Sequence, residues 1–244
     1  MPRSALLPGL VALCLIAAGP ALAQDVSITL DNDGSLATRS IQLLVLITLL
    51  SIVPGLAIMI TCFPFMVTVL SILRQGIGLQ QSPPNMLIVS LALFLTYFVM
   101  EPVFIAAWTN GLDPLINDML SLEEAFVKVM EPFRAFMAGR IAPDTFEELA
   151  SLRPDLPLEQ SIAEAPLSVL IPSFLLSEIE RAFQIGFLVF LPFLIIDLVV
   201  AAILMSMGMM MVPPAIVSLP FKLAFFVVAD GWSLIAGSLV RSYF

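Results

Sequence analysis

The sequence predicts an all-α, membrane-associated protein whose kinked apolar helices form two hairpin pairs on either side of a polar helical insert. Three observations support this prediction. Of the 244 residues, 60% are hydrophobic and 12% are charged, whereas soluble domains average about 45–50% apolar and about 25% charged residues. Four apolar runs are each long enough to cross a bilayer of about 30 Å as a helix. Acidic residues concentrate in one stretch between the second and third runs.

These features divide the chain into five segments: a cleavable signal peptide (1–23), a polar mature N-terminus (24–40), a first apolar helical pair (41–108), an acidic polar insert (109–166) and a second apolar helical pair with a Met-rich loop (167–244). The four apolar runs within the pairs are residues 41–73, 86–108, 167–205 and 215–240. Because each run exceeds the length that a membrane helix needs, the hydropathy pattern predicts four membrane helices.

The N-terminus has the three parts of a secretory signal. Arg3 supplies the positive charge, residues 10–18 form a short apolar core, and residues 21–23 read Ala-Leu-Ala, which is a cleavage site of the A-x-A type. A short first membrane helix is the alternative. Pro8 and Pro20 bound an apolar run that is shorter than the roughly 20 residues a spanning helix requires, so the sequence favours cleavage after residue 23.

The acidic insert carries two local signals for short helices. Ser121 and Glu124 have the spacing of a capping box and precede an apolar periodic segment at residues 125–137. Residues 143–148 read Pro-Asp-Thr-Phe-Glu-Glu, with proline and acidic residues in the positions preferred at a helix start. We therefore expect two solvated, amphipathic helices with a structural role.

Prolines and ionisable residues distinguish the apolar runs from ordinary lipid-facing helices. The prolines within the runs are expected to bend or end helices, and they are Pro54, Pro64, Pro102, Pro172, Pro192 and Pro220. The ionisable residues within or beside the runs are Glu101, Glu178, Glu180, Arg181, Asp197, Lys222 and Asp230. A charge in mid-membrane costs about 2.5–3.5 kcal/mol on insertion scales, so these groups are expected to face protein or water.

Composition argues against several function classes. The chain has no histidine, which is the commonest general base and metal ligand. Of its two cysteines, Cys14 and Cys62, only Cys62 would remain after removal of the signal peptide. We expect no metal, no cofactor and no catalytic triad. The formal net charge of −9 with ten scattered basic residues argues against nucleic-acid binding. Glu178 and Glu180 are two positions apart, so a helix would point them to different faces and not into one acid-base pair.

Long motif blocks resemble one family. The N-terminal block reads RQGIG at 74–78, SPPN at 82–85 and LALFLT at 91–96. The C-terminal blocks read SEIERAFQIGF at 177–187, PFLIIDLV at 192–199, MGMMMVPP at 207–214, LPFK at 219–222 and DGW at 230–232. On these residues the chain resembles the FliP family of flagellar type III export-gate proteins. Injectisome proteins of the SctR type share the same motifs, and the flagellar branch is the expected one.

The resemblance implies a function and a set of partners. It implies a structural and gating subunit, not an enzyme, which assembles in several copies with FliQ and FliR into a helical, ring-like channel for unfolded flagellar proteins. It further implies the FliF ring and the export components FlhB and FlhA as neighbours, at the flagellar basal body in the bacterial inner membrane. The signal peptide would direct part of the chain to the periplasmic side.

Three charges in the C-terminal motif blocks are candidate contacts between subunits. Glu178, Asp197 and Lys222 are each costly alone in an apolar setting. We expect Lys222 to pair with a carboxylate across a subunit boundary, with Glu178 as the first choice of partner. The alternatives are a salt bridge within one chain, or a lysine whose aliphatic stem is buried while its ammonium reaches water.

The methionine-rich segment is the candidate gate. Three successive methionines cannot share one helix face, and Gly208 before them with Pro213 and Pro214 after them should terminate regular structure and leave a loop. Methionine often serves as core filler, which is the alternative interpretation. The resemblance implies that the segment acts as a pore gasket, and its candidate residues are Met207, Met209, Met210 and Met211.

A secondary transporter of small solutes is the alternative function. Broken helices and buried charges also occur in transporters, whose two halves are commonly structural repeats. The two apolar pairs of this chain, residues 41–108 and 167–240, show no residue-level similarity, and their prolines do not occupy matching positions. A protein-conducting channel subunit is therefore the favoured interpretation.

Overall fold

The computed structural model describes residues 36–79, 83–153, 161–209 and 211–244, and within these residues it contains helices and no strand. The predicted all-α class is confirmed for this part of the chain. The predicted signal peptide, residues 1–23, lies outside the described residues. The chain divides into two units, residues 1–50 and 51–244. The described part of the first unit is helical, and its apolar side chains, such as Ile41 and Leu44, are exposed.

Nine α-helices and two short turns of other helical types make up the described residues. In chain order they are α1 Leu36–Met59, α2 Phe63–Ile77, α3 Asn85–Ala107, a π-helical turn Trp108–Leu112, α4 Asp113–Ile116, α5 Leu122–Ala138, α6 Pro143–Ser151, a 3-10 turn Ile162–Glu164, α7 Leu167–Ser206, α8 Pro214–Val228 and α9 Gly231–Arg241. Both helices expected in the insert are present, as α5 and α6.

In the described part of the chain, three stretches of helix are long and apolar enough to cross a membrane, and α8 with α9 would make a fourth if the bent pair counts as one span. The three are Ser40–Met59, Asn85–Ile116 and Leu167–Ser206. The prediction of four single membrane helices therefore needs two corrections. The first apolar run is two helices, α1 and α2, and the fourth is bent by 61° between α8 and α9.

The break in the first run lies at Thr61 and Cys62. Pro64 stands in the first turn of α2, where its missing backbone N–H costs nothing, but a continuous helix would have needed that donor. The hydroxyl of Thr61 donates to the carbonyl of Ile58 at 2.8 Å and accepts from the Phe63 backbone at 3.4 Å. These hydrogen bonds give partners to the Ile58 carbonyl and the Phe63 amide, where the regular helical hydrogen bonds stop.

The other prolines of the apolar runs do not end their helices. Pro54, Pro102 and Pro220 lie inside α1, α3 and α8, while Pro172 and Pro192 both lie inside the 40-residue α7. Of the two expected effects, bending or ending a helix, the second does not occur at these five prolines. In α7 the packing of an apolar face against α2 offsets the cost of about 3 kcal/mol for an interior proline.

The core of the second unit centres on α2. Its buried residues, among them Phe65, Val69 and Leu73, recur along one broad face of the helix. This face packs mainly against α7 and also contacts α3 and α8. Gly186 of α7 allows the close approach, because a Cβ there would lie 2.4 Å from the Ile72 side chain.

The insert is fixed to this core through a capped helix and a tight turn. Ser121 and Glu124 form the predicted capping box, since the Glu124 amide donates to the Ser121 hydroxyl at 3.3 Å and the Glu124 carboxylate accepts from the Ser121 amide at 3.0 Å. At Gly111 a Cβ would lie 2.9 Å from the Val129 backbone nitrogen and 3.1 Å from the Ala125 carbonyl oxygen. Only glycine therefore lets α5 dock on the π-helical turn.

Gly111→Ala should lower the free energy of unfolding by about 1–3 kcal/mol, because an added methyl group at a backbone contact forces α5 away from the turn. Gly139→Ala is the matched control, since a Cβ there meets its nearest atoms at an ordinary 3.6 Å and the backbone is right-handed helical. Thermal unfolding of the detergent-solubilised full chain measures both variants. Equal midpoints for the two would contradict this account of the docking.

Candidate functional site

Glu178 of α7 is completely buried and is surrounded by donors from distant parts of the chain. The Arg140 Nε donates to Glu178 Oε1 at 3.0 Å, and the Tyr243 hydroxyl donates to Oε2. The Arg181 guanidinium lies 3.7 Å from Oε1, one turn along the same helix. We refer to these four residues as the Glu178 cluster. Buried carboxylates are tolerated when their lone pairs are satisfied in this way.

Tyr243 is held on its ring as well as through its hydroxyl. The Arg140 guanidinium lies 4.0 Å from the ring centroid, and the ring packs against Phe65 at 5.5 Å and Phe136 at 6.0 Å between centroids. Burial, followed by the neighbouring Glu178 carboxylate, raises the pKa of Tyr243 far above its usual range. The phenol therefore stays protonated and donates to the carboxylate.

The residue before Glu178 binds the middle of the insert. The Ser177 hydroxyl accepts a hydrogen bond from the Ala142 backbone at 3.0 Å and donates to the Ser173 carbonyl at 2.8 Å. Arg140 and Ala142 both lie in the connection between α5 and α6. The connection is thus held by two consecutive residues of α7. Glu178 binds it through the salt bridge to Arg140, and Ser177 through the hydrogen bond from the Ala142 backbone N–H.

Lys222 of α8 has its partners on α7 and α2. Its ammonium lies 2.6 Å from Asp197 Oδ2 and donates to the Gly76 carbonyl at 3.1 Å. The Ser218 hydroxyl donates to the other oxygen of Asp197 at 2.6 Å. The Lys222 side chain is 7% exposed and that of Asp197 is 40% exposed. We refer to Lys222, Asp197 and Ser218 as the Lys222 cluster.

The position of Lys222 at a helix end has a physical reason. Gly76 lies in the last turn of α2, which ends at Gly78 in the left-handed conformation with φ 88°. Carbonyls in the last turn of a helix lack helical donors and carry the negative end of the helix dipole. An ammonium there satisfies one carbonyl and opposes that partial charge.

These contacts differ from the pairing expected from the sequence. Lys222 was expected to meet Glu178 of another subunit, but each charge has a partner in its own chain, which is Asp197 for the lysine and Arg140 for the glutamate. The packing of α8 along α7 places Lys222 beside Asp197, 25 positions away in sequence. Glu180 is exposed while Glu178 is buried, so the expected separation of these two carboxylates onto different faces is confirmed.

The methionine-rich segment forms a short connection with defined ends. Helix α7 stops at Ser206, and Gly208 adopts the left-handed conformation with φ 73°. The Gly208 amide donates to the Met205 carbonyl at 3.1 Å and the Met209 amide to the Leu204 carbonyl at 3.0 Å, which is the Schellman pattern. Pro213 caps α8, and Pro214 is its first residue.

The methionine side chains of this segment point away from the core. Met207 is 65% exposed, Met209 39% and Met211 96%, while Met210 lies outside the described residues. Their exposure does not fit the alternative of core filler within one chain. The three described side chains are free for contacts with another chain.

Comparison with known proteins decides the family. A model described as "FliP family" matches residues 46–239. The chain belongs to the FliP family. It is 49% identical over 243 residues to a flagellar biosynthetic protein FliP of Caulobacter vibrioides, covering 99% of this chain and 91% of the relative.

Two further FliP relatives agree along most of their length. A flagellar biosynthetic protein FliP of Agrobacterium fabrum is 46% identical over 239 residues, covering 96% of this chain and 97% of the relative. One of Bacillus subtilis is 43% identical over 219 residues, covering 89% and 98%. The resemblance found in the motif blocks is confirmed, and the chain is a flagellar export component of the FliP type. Nothing in these comparisons supports the small-solute transporter.

Sequence reasoning missed four members of the buried networks: Arg140, Ser177, Ser218 and Tyr243. Arg140 lies in the insert, whose helices the sequence predicts to be solvated, and Tyr243 lies beyond the last motif block. The available signal was indirect, since a carboxylate buried in an apolar run requires nearby donors. Among the described residues, no three His, Cys, Asp or Glu side chains are grouped so that they could hold a metal ion.

Removing the two members of the Lys222 pair should have unequal effects. Asp197→Ala leaves an almost fully buried ammonium without its counter-charge and should lower the free energy of unfolding by about 3–5 kcal/mol. Lys222→Met keeps the apolar stem and leaves a carboxylate that water reaches, so the loss should be smaller. Chemical unfolding of the full chain in detergent measures both values. A larger loss for Lys222→Met than for Asp197→Ala would contradict the pairing.

Cys62 should be chemically silent in the folded chain. It is completely buried with its Sγ 4.0 Å from the Thr96 carbonyl oxygen, and burial raises the pKa of the thiol to about 12. Since the thiolate is the reactive form, maleimide at pH 7.5 should modify Cys62 at least about 100-fold more slowly before unfolding than after it. Peptide-resolved mass spectrometry measures the rate. Rapid modification of the native protein would show that this part of the core opens.

Proposed function

We propose that the chain is a structural and gating subunit of the flagellar type III protein export gate. In this proposal several copies assemble with FliQ and FliR into a channel for unfolded flagellar proteins. Membership of the FliP family supports the export role, and the shared name of the relatives supports the flagellar branch. The observation that carries the gating role is the exposed methionine segment between two fixed helix ends.

The apolar surface that one chain leaves exposed supports assembly with other chains. Large apolar side chains are exposed along α1, α3 and α7, for example Leu50 at 69%, Phe94 at 67% and Leu188 at 63%. Such surface requires lipid or other protein around it. We place it against further copies of the chain, against FliQ and FliR, and against lipid of the bacterial inner membrane. The FliF ring, FlhB and FlhA are the proposed neighbours at the flagellar basal body.

The methionine segment has the properties that a protein-conducting gate needs. Methionine side chains are unbranched and have three rotatable bonds, so several of them around an axis can close against water and rearrange around a passing chain of any sequence. β-branched side chains are stiffer at χ1 and would adapt less well. The Schellman turn at Gly208 and the Pro213–Pro214 start of α8 would hold the base of the loop while its side chains move.

Of the three charges predicted to lie between subunits, Asp197 is the best placed for that role. Its side chain is 40% exposed although both carboxylate oxygens already accept hydrogen bonds within the chain. A carboxylate can accept further hydrogen bonds on its remaining lone pairs. We propose that Asp197 makes the intersubunit contact, while Glu178 and Lys222 are neutralised inside each copy.

Replacing Met209, Met210 and Met211 together with Ala should leave the complex assembled and make the membrane leaky to small ions, because the shorter side chains cannot close the axis. Ion flux in cells that express the assembled variant measures the leak. The matched control replaces Met59, Met86 and Met119, which are exposed elsewhere on the chain, and should not leak. A membrane as tight as wild type with the loop variant would rule out the gating role.

A further inference from the structure

We propose that α9 is a hinged helix, held by a latch in which Tyr243 binds Glu178, and that opening of this latch lets α9 swing about Asp230 and Gly231 as a unit. The hinge at Asp230 and Gly231, the latch at Tyr243 and the packing of α9 between them are three separate sets of contacts. The inference concerns the movement of one chain and does not depend on the proposed gating role.

The hinge is confined to two residues. Asp230 adopts the left-handed conformation with φ 48° and ψ 48°, which few residues other than glycine, asparagine and aspartate adopt. At Gly231 a Cβ would lie 2.2 Å from the nearest atom of the Phe226 ring, so the backbone lies directly on that ring. The 61° bend between α8 and α9 is therefore sharp and local, as a hinge requires.

Between its ends α9 packs on the core along one narrow face. Gly231, Ile235 and Leu239 are its buried residues. A crevice of about 420 Å³ separates it from α3, where Phe94 and Phe98 form part of the wall. A second crevice, of about 250 Å³, lies between α9 and α7. Between the two crevices Ile235 and Leu239 hold α9 on the core, and the polar contacts beyond its last turn add to this apolar contact.

The latch lies just beyond the last turn of α9, which ends at Arg241. Arg140 binds the terminal segment twice, by stacking on the Tyr243 ring and by donating from Nη1 to the Ser242 carbonyl at 2.9 Å. The Tyr243 hydroxyl donates to the buried Glu178 carboxylate. Hydrogen bonds with an ionised partner are about twice as strong as neutral ones, so the Tyr243 hydroxyl and the Arg140 guanidinium together form the latch.

The state of the latch would determine whether α8 and α9 form one long apolar helix or two short ones. In the bent form α8 has 15 residues and α9 has 11, and each is shorter than the roughly 20 residues that a membrane span needs. Aligned end to end, the two helices exceed that length. A closed latch therefore keeps a broken span, and an open latch permits a continuous one.

Hydrogen exchange of the full chain in detergent tests the latch. Tyr243→Phe keeps the ring contacts and removes only the hydroxyl. Because an 11-residue helix is marginally stable once it leaves the core, amides of residues 231–241 should then exchange about 10–100-fold faster. Exchange in α2 and α7 should stay within about twofold of wild type, because local opening leaves the rest of the fold protected. Tyr97→Phe makes the same change at a 59% exposed tyrosine and should alter neither region. Ser242→Ala should also be silent, since Arg140 binds its backbone carbonyl.

A distance measurement tests the swing. Spin labels on Ile216→Cys and Ser238→Cys, both exposed positions, should show an added population about 5 Å longer in Tyr243→Phe, as expected for two aligned helices at about 1.5 Å per residue. Faster exchange throughout the chain would mean that the hydroxyl only stabilises the fold, and would overturn the proposal. Unchanged exchange of α9, or faster exchange at an unchanged distance, would overturn it as well.

Discussion

A carboxylate with no exposed surface, Glu178, is the constraint on which the arrangement of the second unit depends. An ionised group in an apolar interior is tolerated only where donors surround it, and its immediate neighbours in α7 supply one, Arg181, at ion-pair distance. The remaining donors, Arg140 and Tyr243, come from the insert and from the C-terminus. Satisfying one carboxylate therefore brings three distant segments of the chain together.

The same requirement operates at the other end of α7. Apolar packing of α2 against α7 supplies contact area but specifies position weakly, because many apolar side chains fit many apolar surfaces. The Lys222 cluster adds specificity, since one ammonium meets both Asp197 and the end of α2 at Gly76. Both polar clusters bind elements that the hydrophobic core alone would leave free to shift.

The methionine segment combines a fixed base with exposed, adaptable side chains. Its base is set by a Schellman turn and by two prolines, whereas Met207, Met209 and Met211 project from the chain. The apolar faces of the long helices are likewise exposed in a single chain. Both features are in keeping with an export component of the FliP family, and they support the proposal that neighbouring chains cover these surfaces.

The sequence by itself determined the all-α class, the family and the local helix signals, such as the capping box at Ser121, because these depend on composition and on residues close together in the chain. Only the tertiary structure decided that α7 continues through Pro172 and Pro192, since packing against α2 offsets the local cost of proline. It also decided which charges pair. The sequence spacing of Asp197 and Lys222 carries no record of the register at which α8 packs on α7, and that register sets their 2.6 Å contact.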